Sequence, residues 1–585
     1  MRICKFLTAT TIALSGYSAA DTLRYEAEDA IPANDHNAEA VQDAKASGGT
    51  YVEMQSGNLL FTVDLPDEGY YALQVRYRLP SDRGGKTQNL TVNGASAGQI
   101  TFGTADEFTT IKGANKIKLS KGKNEIGIVK SWGWVGIDYI ELSPFEATPW
   151  NIGTTPVTPE PTESAQKLYN FLLSNFGKRT ISGVMTERPF ENNGQYTPQD
   201  FDTQTELSYI NKASGKNVVL VGFDFLHSSG LNSEQQWYQG YTHAALEMAK
   251  KVWKAGGIPQ FNWHWKDPMH TVEAFYTESS GNTPYTEFSI GLAYDTATKK
   301  WKTGSDEYKA IMRDLGMIAD SLLTLQKEGV AVLWRPLHEA SGKWFWWGTD
   351  GAEPCVALYK LMFDVFVNQK GLHNLIWVWT TDEATDALDW YPGDEFVDVV
   401  GRDYYYYPRE SNHASLVSSF EKVKEIYGAR KIIALSENGS VPYPDSMKAD
   451  GANWSWFMPW YGDYAMEGWA NDNTAESWKT VMNNDYIITL EDMPGWDKYE
   501  MQTALAARPA KSAEAIFLVD SELQVNLNAP ARLALFNMQG NRVLTKDMSG
   551  SGTVSLSRLA RGLYIAQLKG KNFSHSRKIR IGDKR

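Results

Sequence analysis

The sequence predicts an α/β chain, a (β/α)8 TIM barrel flanked by an N-terminal β-sandwich and a small C-terminal β-sandwich. Three observations carry this expectation. Apolar runs of strand length alternate with helical stripes through the middle of the chain, short strands punctuated by turns fill both ends, and a Thr/Pro-rich segment without periodicity separates the first block from the middle. At 585 residues the chain exceeds what one core can bury, so three or four domains are expected.

Residues 1–20 carry Arg2 and Lys5, then a largely apolar stretch from Phe6 to Leu14, then the small residues Ser18 and Ala20. This is the pattern of a secretory signal peptide cut after Ala20. No later stretch is long and apolar enough to span a bilayer, so the mature protein is expected to be soluble, a monomer, and secreted or at the cell surface. Cys4 leaves with the signal and Cys355 stands alone, which excludes an internal disulfide and a thiolate metal cluster. A net charge of −13 argues against nucleic acid or an anionic membrane as partner, whereas 21 Trp suit a protein that handles carbohydrate.

Residues 21–143 read as short alternating strands, among them NLLFTVDLP, YYALQVRYRLP and NEIGIVK, the text of a β-sandwich module. Trp132 and Trp134, two positions apart, would share one face of a strand, and Trp132 is the candidate sugar platform. Residues 144–164 (PFEATPWNIGTTPVTPEPTES) form an extended, semi-rigid linker.

Residues 165–505 alternate strands and helices. The clearest helix covers 306–327, with Ile311, Leu315, Ile318, Leu322 and Leu325 on one stripe and Gly329 as its stop. Helical stretches at 241–255, 354–370 and 416–427 precede IPQFNWHW, LIWVW and KIIALSE, and with RTISGVM, NVVLVGFDF, VAVLWR, FVDVVGRDY and WSWFMPW they make eight strands. Residues 514–585 return to β text, with a hairpin turn at 537–541 and a small Ig-like sandwich as the expected form.

The chemistry concentrates in 330–348, VAVLWRPLHEASGKWFWWG. An apolar run ended by proline is a strand buried on both faces, and His338 and Glu339 follow where that strand passes into its loop. Trp344, Phe345, Trp346 and Trp347 then supply an aromatic density suited to stacking on a flat, hydroxylated ring. The seventh strand, Ile432 to Glu437, likewise ends in a carboxylate, which would stand at the same barrel face as Glu339. Two carboxyl groups in unlike surroundings are what glycosidic cleavage requires, one to donate a proton and one to attack. The string His338-Glu339 lacks the second histidine of a zinc protease, and Gly94 to Gly98, a G-x-S-x-G, links two strands rather than a strand and a helix.

Arg335 through Gly348, R-P-x-H-E-x-x-G-x-W-F-W-W-G, resembles the acid/base segment of glycoside hydrolase family 26, the β-mannanase family of the clan of retaining (β/α)8 hydrolases. The resemblance implies Glu339 as acid/base and Glu437 as nucleophile, without a cofactor. It implies His264 as a substrate-binding histidine, His338 as a group orienting or contacting the sugar, Trp344 and Trp460 as stacking rings, and a tyrosine donor to the nucleophile, Tyr405 or else Tyr404. Arg335 and Asp224 are expected to form supporting ion pairs. The implied activity is that of a secreted endo-β-1,4-mannanase acting on mannan, glucomannan or galactomannan by double displacement. The same machinery on mixed-linkage β-glucan or β-1,3-xylan, and a non-catalytic polysaccharide-binding protein, are the alternatives. Tyr25-Glu26-Ala27-Glu28 and Val135 to Glu141 resemble the ends of carbohydrate-binding module family 35, which implies a structural Ca2+ held by Glu26, Glu28 and Asp138. Leu559 to Tyr564 with the basic end resembles the sorting domains of the bacterial type nine secretion route, a second carbohydrate-binding module being the alternative.

Overall fold

A computed structural model describes residues 22–191, 194–502 and most of 515–581; the expected signal peptide and nearly all of the hairpin turn at 537–541 lie outside the described residues. The chain divides into two compact units, residues 1–502 and 503–585. At the centre of the first unit eight strands pair in parallel and in chain order: Gly183–Met185, Leu220–Asp224, Ile258–Asn262, Val332–Arg335, Leu375–Thr381, Val399–Tyr404, Ile432–Asn438 and Phe457–Pro459. A parallel bridge between Ile181 and Trp456 brings the last strand back to the first. These are the eight strands expected from the apolar runs.

Strand residues alternate between two cores. Leu333, Ile376, Val378, Val399, Ala434 and Met458 fill the barrel and join Leu168 and Leu172 of the helix Glu163–Asn175, which packs against the end where the strands begin. The outer core takes the stripe of the helix Asp306–Lys327, whose start is capped by the Ser305 hydroxyl accepting from Tyr308 N–H. Close packing inside the barrel demands small residues. A Cβ at Gly401 would lie 2.2 Å from Ser436 Oγ, so only glycine fits there.

The N-terminal sandwich stacks a six-stranded sheet on the four-stranded sheet formed by Leu59–Leu65, Gly122–Trp132, Lys86–Val92 and Ala95–Phe102. Its strand Ala105–Leu119 lies against the barrel helix Val417–Ile426, where Lys112 and Asn115 both reach Glu425. Tyr70 hydroxyl donates to Ala449 carbonyl at 2.7 Å beside this contact. The connecting residues 145–162, expected as part of an extended, semi-rigid linker, are held against the barrel. Trp150 packs edge-on to Phe176 and Phe420, Asn151 N–H donates to Ala429 carbonyl, and Val157 N–H to Asp398, because the two apolar side chains have a core margin to cover.

The second unit forms a three-stranded sheet, Ala515–Val519, Glu522–Asn526 and Gly552–Ser555, and a four-stranded sheet, Arg542–Met548, Ala531–Asn537, Gly562–Gly570 and Ser574–Ile581, around a core of Leu523, Leu533, Leu535, Ala566 and Leu568.

Gly401→Ala should displace Ser436, whose hydroxyl holds Asp403 at 2.7 Å, and overpacking of this kind costs about 1–3 kcal/mol. A lowered denaturation midpoint together with reduced turnover is expected, and an unchanged midpoint would contradict the packing described.

Candidate active site

The strands of a parallel barrel deliver their last residues to one rim, and the polar residues that end four of them meet there. A cleft of about 510 Å3 at this rim is lined by Glu339, Glu437, His264, His338, Trp344, Tyr405 and Trp460, together with residues from loops after other strands. Every barrel residue singled out from the sequence as catalytic or substrate-binding is among them.

Glu339 does not lie on its strand. It follows Leu337 with φ +49° and itself has φ +53°, backbone that side chains other than glycine rarely adopt. Strain of this kind costs on the order of 1–3 kcal/mol and persists where surrounding contacts enforce it. Here His338, between the two, is buried, and its carbonyl accepts Trp347 Nε1 at 3.0 Å. Glu437 by contrast lies within its strand, Ile432–Asn438, although that strand is paired irregularly on both sides around Ser436 and Glu437. Arg402 pairs with Leu435 but Asp403 with Glu437, so Ser436 is the extra residue of the bulge and Asp403 comes level with Glu437.

One carboxylate oxygen from each of Glu339, Asp403 and Glu437 lies within 4.8 Å of the others. The charge among them is met by Arg335, fully buried, which donates to Asp403 at 2.7 Å and to Glu437. Desolvation works against the Arg335 cation, but Asp403 and Glu437 overcome it and raise its pKa. Glu437 also accepts from Tyr405 hydroxyl at 2.7 Å through its other oxygen. Of the two tyrosines considered, Tyr405 is therefore the donor, while Tyr404 packs on Tyr406 at 5.3 Å.

Among the described residues no cation pairs with Glu339. Burial first, then the charges of Glu437 and Asp403, push its carboxyl up to about 8, and Trp344 Nε1 donates to it at 3.2 Å. Asp403 is raised to about 6, chiefly by burial, although Arg335 opposes this. The arrangement therefore supplies one carboxyl that keeps its proton at neutral pH and one carboxylate oriented by two donors.

Two expectations need correction. Of the aromatic run after Glu339 only Trp344 faces solvent, at 38% exposure; Phe345, Trp346 and Trp347 are buried and belong to the outer core. Composition alone does not reveal which ring points outward. Gly342 permits Trp344 to fold back over its own loop, since a Cβ there would lie 2.0 Å from the ring. His338 meets His264 Nε2 to Nε2 at 3.1 Å, so the two histidines form one unit with Asp224, which accepts from His264 backbone N–H at 3.0 Å and pairs with its Nδ1. Burial and the neighbouring His264 and Arg335 hold His338 neutral, its pKa well below the usual range. Trp132 and Trp134 do not share a strand face either, because Gly133 turns the chain with φ +71° between them; both are nonetheless exposed. Trp460, directly after the eighth strand, packs 5.6 Å from His264, and its backbone N–H donates to Asn438 carbonyl.

Sequence reasoning did not single out Asp403, nor Tyr276, Tyr461 and Tyr464, which also line the cleft. Asp403 carries the same signal as Glu437, an acid at the end of an apolar strand, in VDVVGRDY.

Family models and known proteins match most of the chain. The sequence model of glycosyl hydrolase family 26 matches residues 157–492, that of carbohydrate binding module family 35 matches 23–145, and that of a secretion system C-terminal sorting domain matches 519–582. A mannan endo-1,4-beta-mannosidase of Thermothelomyces thermophilus is 31% identical over 475 residues, 81% of this chain and 90% of its own. Mannan endo-1,4-beta-mannosidase B of Piromyces sp. is 31% identical and covers 78% of this chain and 75% of its own. Among solved structures, the β-mannanase from a symbiotic protist of the termite Reticulitermes speratus, complexed with gluco-manno-oligosaccharide, is 44% identical over 59% of this chain and 99% of its own, with a TM-score of 0.54. The Podospora anserina GH26-CBM35 β-(1,4)-mannanase is 30% identical over 82% of this chain and all of its own, with a TM-score of 0.51. The family 26 match spans more than half of the chain and encloses the whole cleft: the chain belongs to glycosyl hydrolase family 26.

Proposed function

We propose that this protein is an exported endo-acting β-1,4-mannanase in which Glu437 is the nucleophile and Glu339 the acid/base. The separation of carboxylate oxygens, within 4.8 Å, carries this reading, because a gap near 5 Å leaves no room for an intervening water and favours retention. In the first step Glu437 attacks the anomeric carbon, the glycosidic C–O bond breaks, and the proton on Glu339 passes to the departing oxygen. In the second step water attacks the glycosyl-enzyme, gives its proton to Glu339, and Glu437 leaves as carboxylate. Tyr405 and Arg335 hold Glu437 aimed through one hydrogen bond to each of its oxygens, while Asp403 shares the Arg335 cation. His264, braced by Asp224 and His338, and the rings of Trp344 and Trp460 hold the sugar. None of these steps calls on a cofactor.

The polysaccharide is mannan, glucomannan or galactomannan, since the relatives reported above act on mannan. Convergence of both glutamates in unlike environments weighs against a barrel that only binds glycans. The sorting domain supports export to the cell surface or beyond, and among the described residues no helix is long and apolar enough to cross a membrane.

In the N-terminal module, Glu26, Glu28 and Asp138 surround the turn at Ser47 and Gly48: Glu26 accepts from Ser47 hydroxyl, Asp138 from Ser47 backbone N–H, and Glu28 lies beside Gly48. Glu26 Oε2 and Glu28 Oε2 are buried without a partner, and desolvation raises the Glu28 carboxyl. Such oxygen donors fit a structural Ca2+. Asp138 already pairs with Arg76, so the two glutamates are the main donors.

Glu437→Ala should abolish release of reducing ends from mannan while leaving pull-down onto insoluble mannan largely intact; hydrolysis at the wild-type rate would eliminate the mechanism. On lichenan, xylan and cellulose the wild type is expected to release little. Tyr405→Phe removes one charged hydrogen bond, worth about 1.5–3 kcal/mol, and kcat should fall about ten- to a hundredfold.

The raised Glu339 pKa also makes a stability prediction. Because the folded protein binds this proton more tightly than the unfolded chain, whose value is 4.5, the stabilisation is complete below that pH and is lost as pH rises to about 8. Glu339→Gln, neutral throughout, should therefore be no more stable than the wild type at pH 4 but more stable at pH 8, as read from denaturation midpoints.

A further inference from the structure

The four-stranded sheet of the N-terminal module turns one face to its core through Gln88, Leu90, Ile100 and Phe102, and the opposite face outward. Alternation along each strand decides which side chains share the outer face. Thr87 pairs across the sheet with Trp132 on one side and with Thr101 on the other, and the two threonine hydroxyls lie 3.3 Å apart. Two residues further along, Asn89 pairs with Gln99, and Gln99 Nε2 donates to Asn89 Oδ1 at 2.9 Å. The same Gln99 amide reaches out of the module and donates to Tyr407 carbonyl of the barrel at 3.1 Å. Hydroxyls and amides thus lie between the barrel contact of Gln99 and Trp132, which is 59% exposed and has Lys86 Nζ 4.5 Å from its ring centre.

On the barrel side this surface meets the loop that carries Tyr405, the donor to Glu437. Tyr407 is 74% exposed. Arg409, two residues on, lies 3.6 Å from the ring centre of Tyr464, which lines the cleft, and 4.9 Å from that of Trp469, which is 73% exposed. Asp472 and the carbonyl of Asp463 hold the guanidinium in place. A large apolar ring left in water, braced from behind by a fixed cation, is a rigid platform that pays little ordering entropy on stacking.

We infer that one polysaccharide chain is held at the same time by the catalytic cleft and by the module, passing from the cleft over Trp469 and Tyr407 onto the face formed by Gln99, Asn89, Thr87, Thr101 and Trp132. The ligand is a neutral, hydroxyl-rich β-linked glycan segment longer than the cleft, matching a surface of amides, hydroxyls and aromatic rings. The inference rests on the proposed mannanase function. Linked sites in one compact unit convert the second contact into an intramolecular one, so the gain appears only for chains long enough to reach both. This differs from a module that merely anchors the enzyme on its substrate.

The test is the dependence of KM on chain length, measured on full-length protein with a series of β-1,4-manno-oligosaccharides and with soluble mannan. Loss of one stacking ring is worth about 1–1.5 kcal/mol, so Trp132→Ala and Trp469→Ala are each expected to raise KM about five- to tenfold on mannan. The rise for Trp132→Ala should shrink toward none as the oligosaccharide shortens to what the cleft alone holds. Trp132→Phe, which keeps a ring, should restore part of the effect. An equal rise at every length would overturn the inference, as would no rise at any length. Loss of pull-down by Trp132→Ala in a Glu437→Ala background with an unaltered length profile would also overturn it, leaving an independent anchor. Failure of the wild type to cleave mannan at all would instead sink the proposed function.

Discussion

The rim of the barrel depends on Arg335. Three carboxyl groups packed within 4.8 Å of one another, two of them buried, would not ionise together without a counter-charge, since unpaired charge in a low dielectric is costly. A single guanidinium, planar and forked, reaches Asp403 with one arm and Glu437 with the other. Two negative charges are thereby accommodated and the third group, Glu339, is left to carry its proton. The division of labour between two chemically identical side chains follows from which of them the cation touches. A lysine could not serve in the same way, because its point charge cannot span two carboxylates in one plane.

Around this centre the barrel works as a converging frame. Parallel strands end at one rim, and residues far apart in the chain meet there without any one segment being bent to bring them. Backbone strain falls on the loop after the fourth strand, where Leu337 and Glu339 both take left-handed backbone and His338 is tied down between them, and a bulge in the seventh strand sets Asp403 beside Glu437. The buried run Phe345, Trp346 and Trp347 is the counterweight. Its rings fill the outer core beneath the loop and hold it in a conformation it would not choose alone.

The N-terminal module is part of the same unit as the barrel. Lys112, Asn115 and Tyr70 tie its larger sheet to two barrel helices, and Gln99 ties its smaller sheet to the loop beside the nucleophile's donor. Residues 145–162, which read as a spacer, lie along the barrel instead, anchored by Trp150 and Val157. Two contacts and a fixed connection leave little freedom between the parts, which is what a shared glycan surface needs.

Much of this was legible in the order of residues. Apolar runs of the right length, ended by proline or by a polar group, marked all eight barrel strands, and because such strands end at one rim, Glu339 and Glu437 could be assigned to one site without coordinates. The stripe from Ile311 to Leu325 likewise marked its helix, since burial of one face imposes its own period on the sequence. Only the tertiary structure decided which of four neighbouring aromatic side chains meets water, that Arg335 serves Glu437 across three strands, that Asp403 joins them, and that the Pro-rich connector is docked. Each of these turns on the direction of a side chain or on a partner more than sixty residues away, and the linear pattern records the period of burial but not the identity of the neighbour.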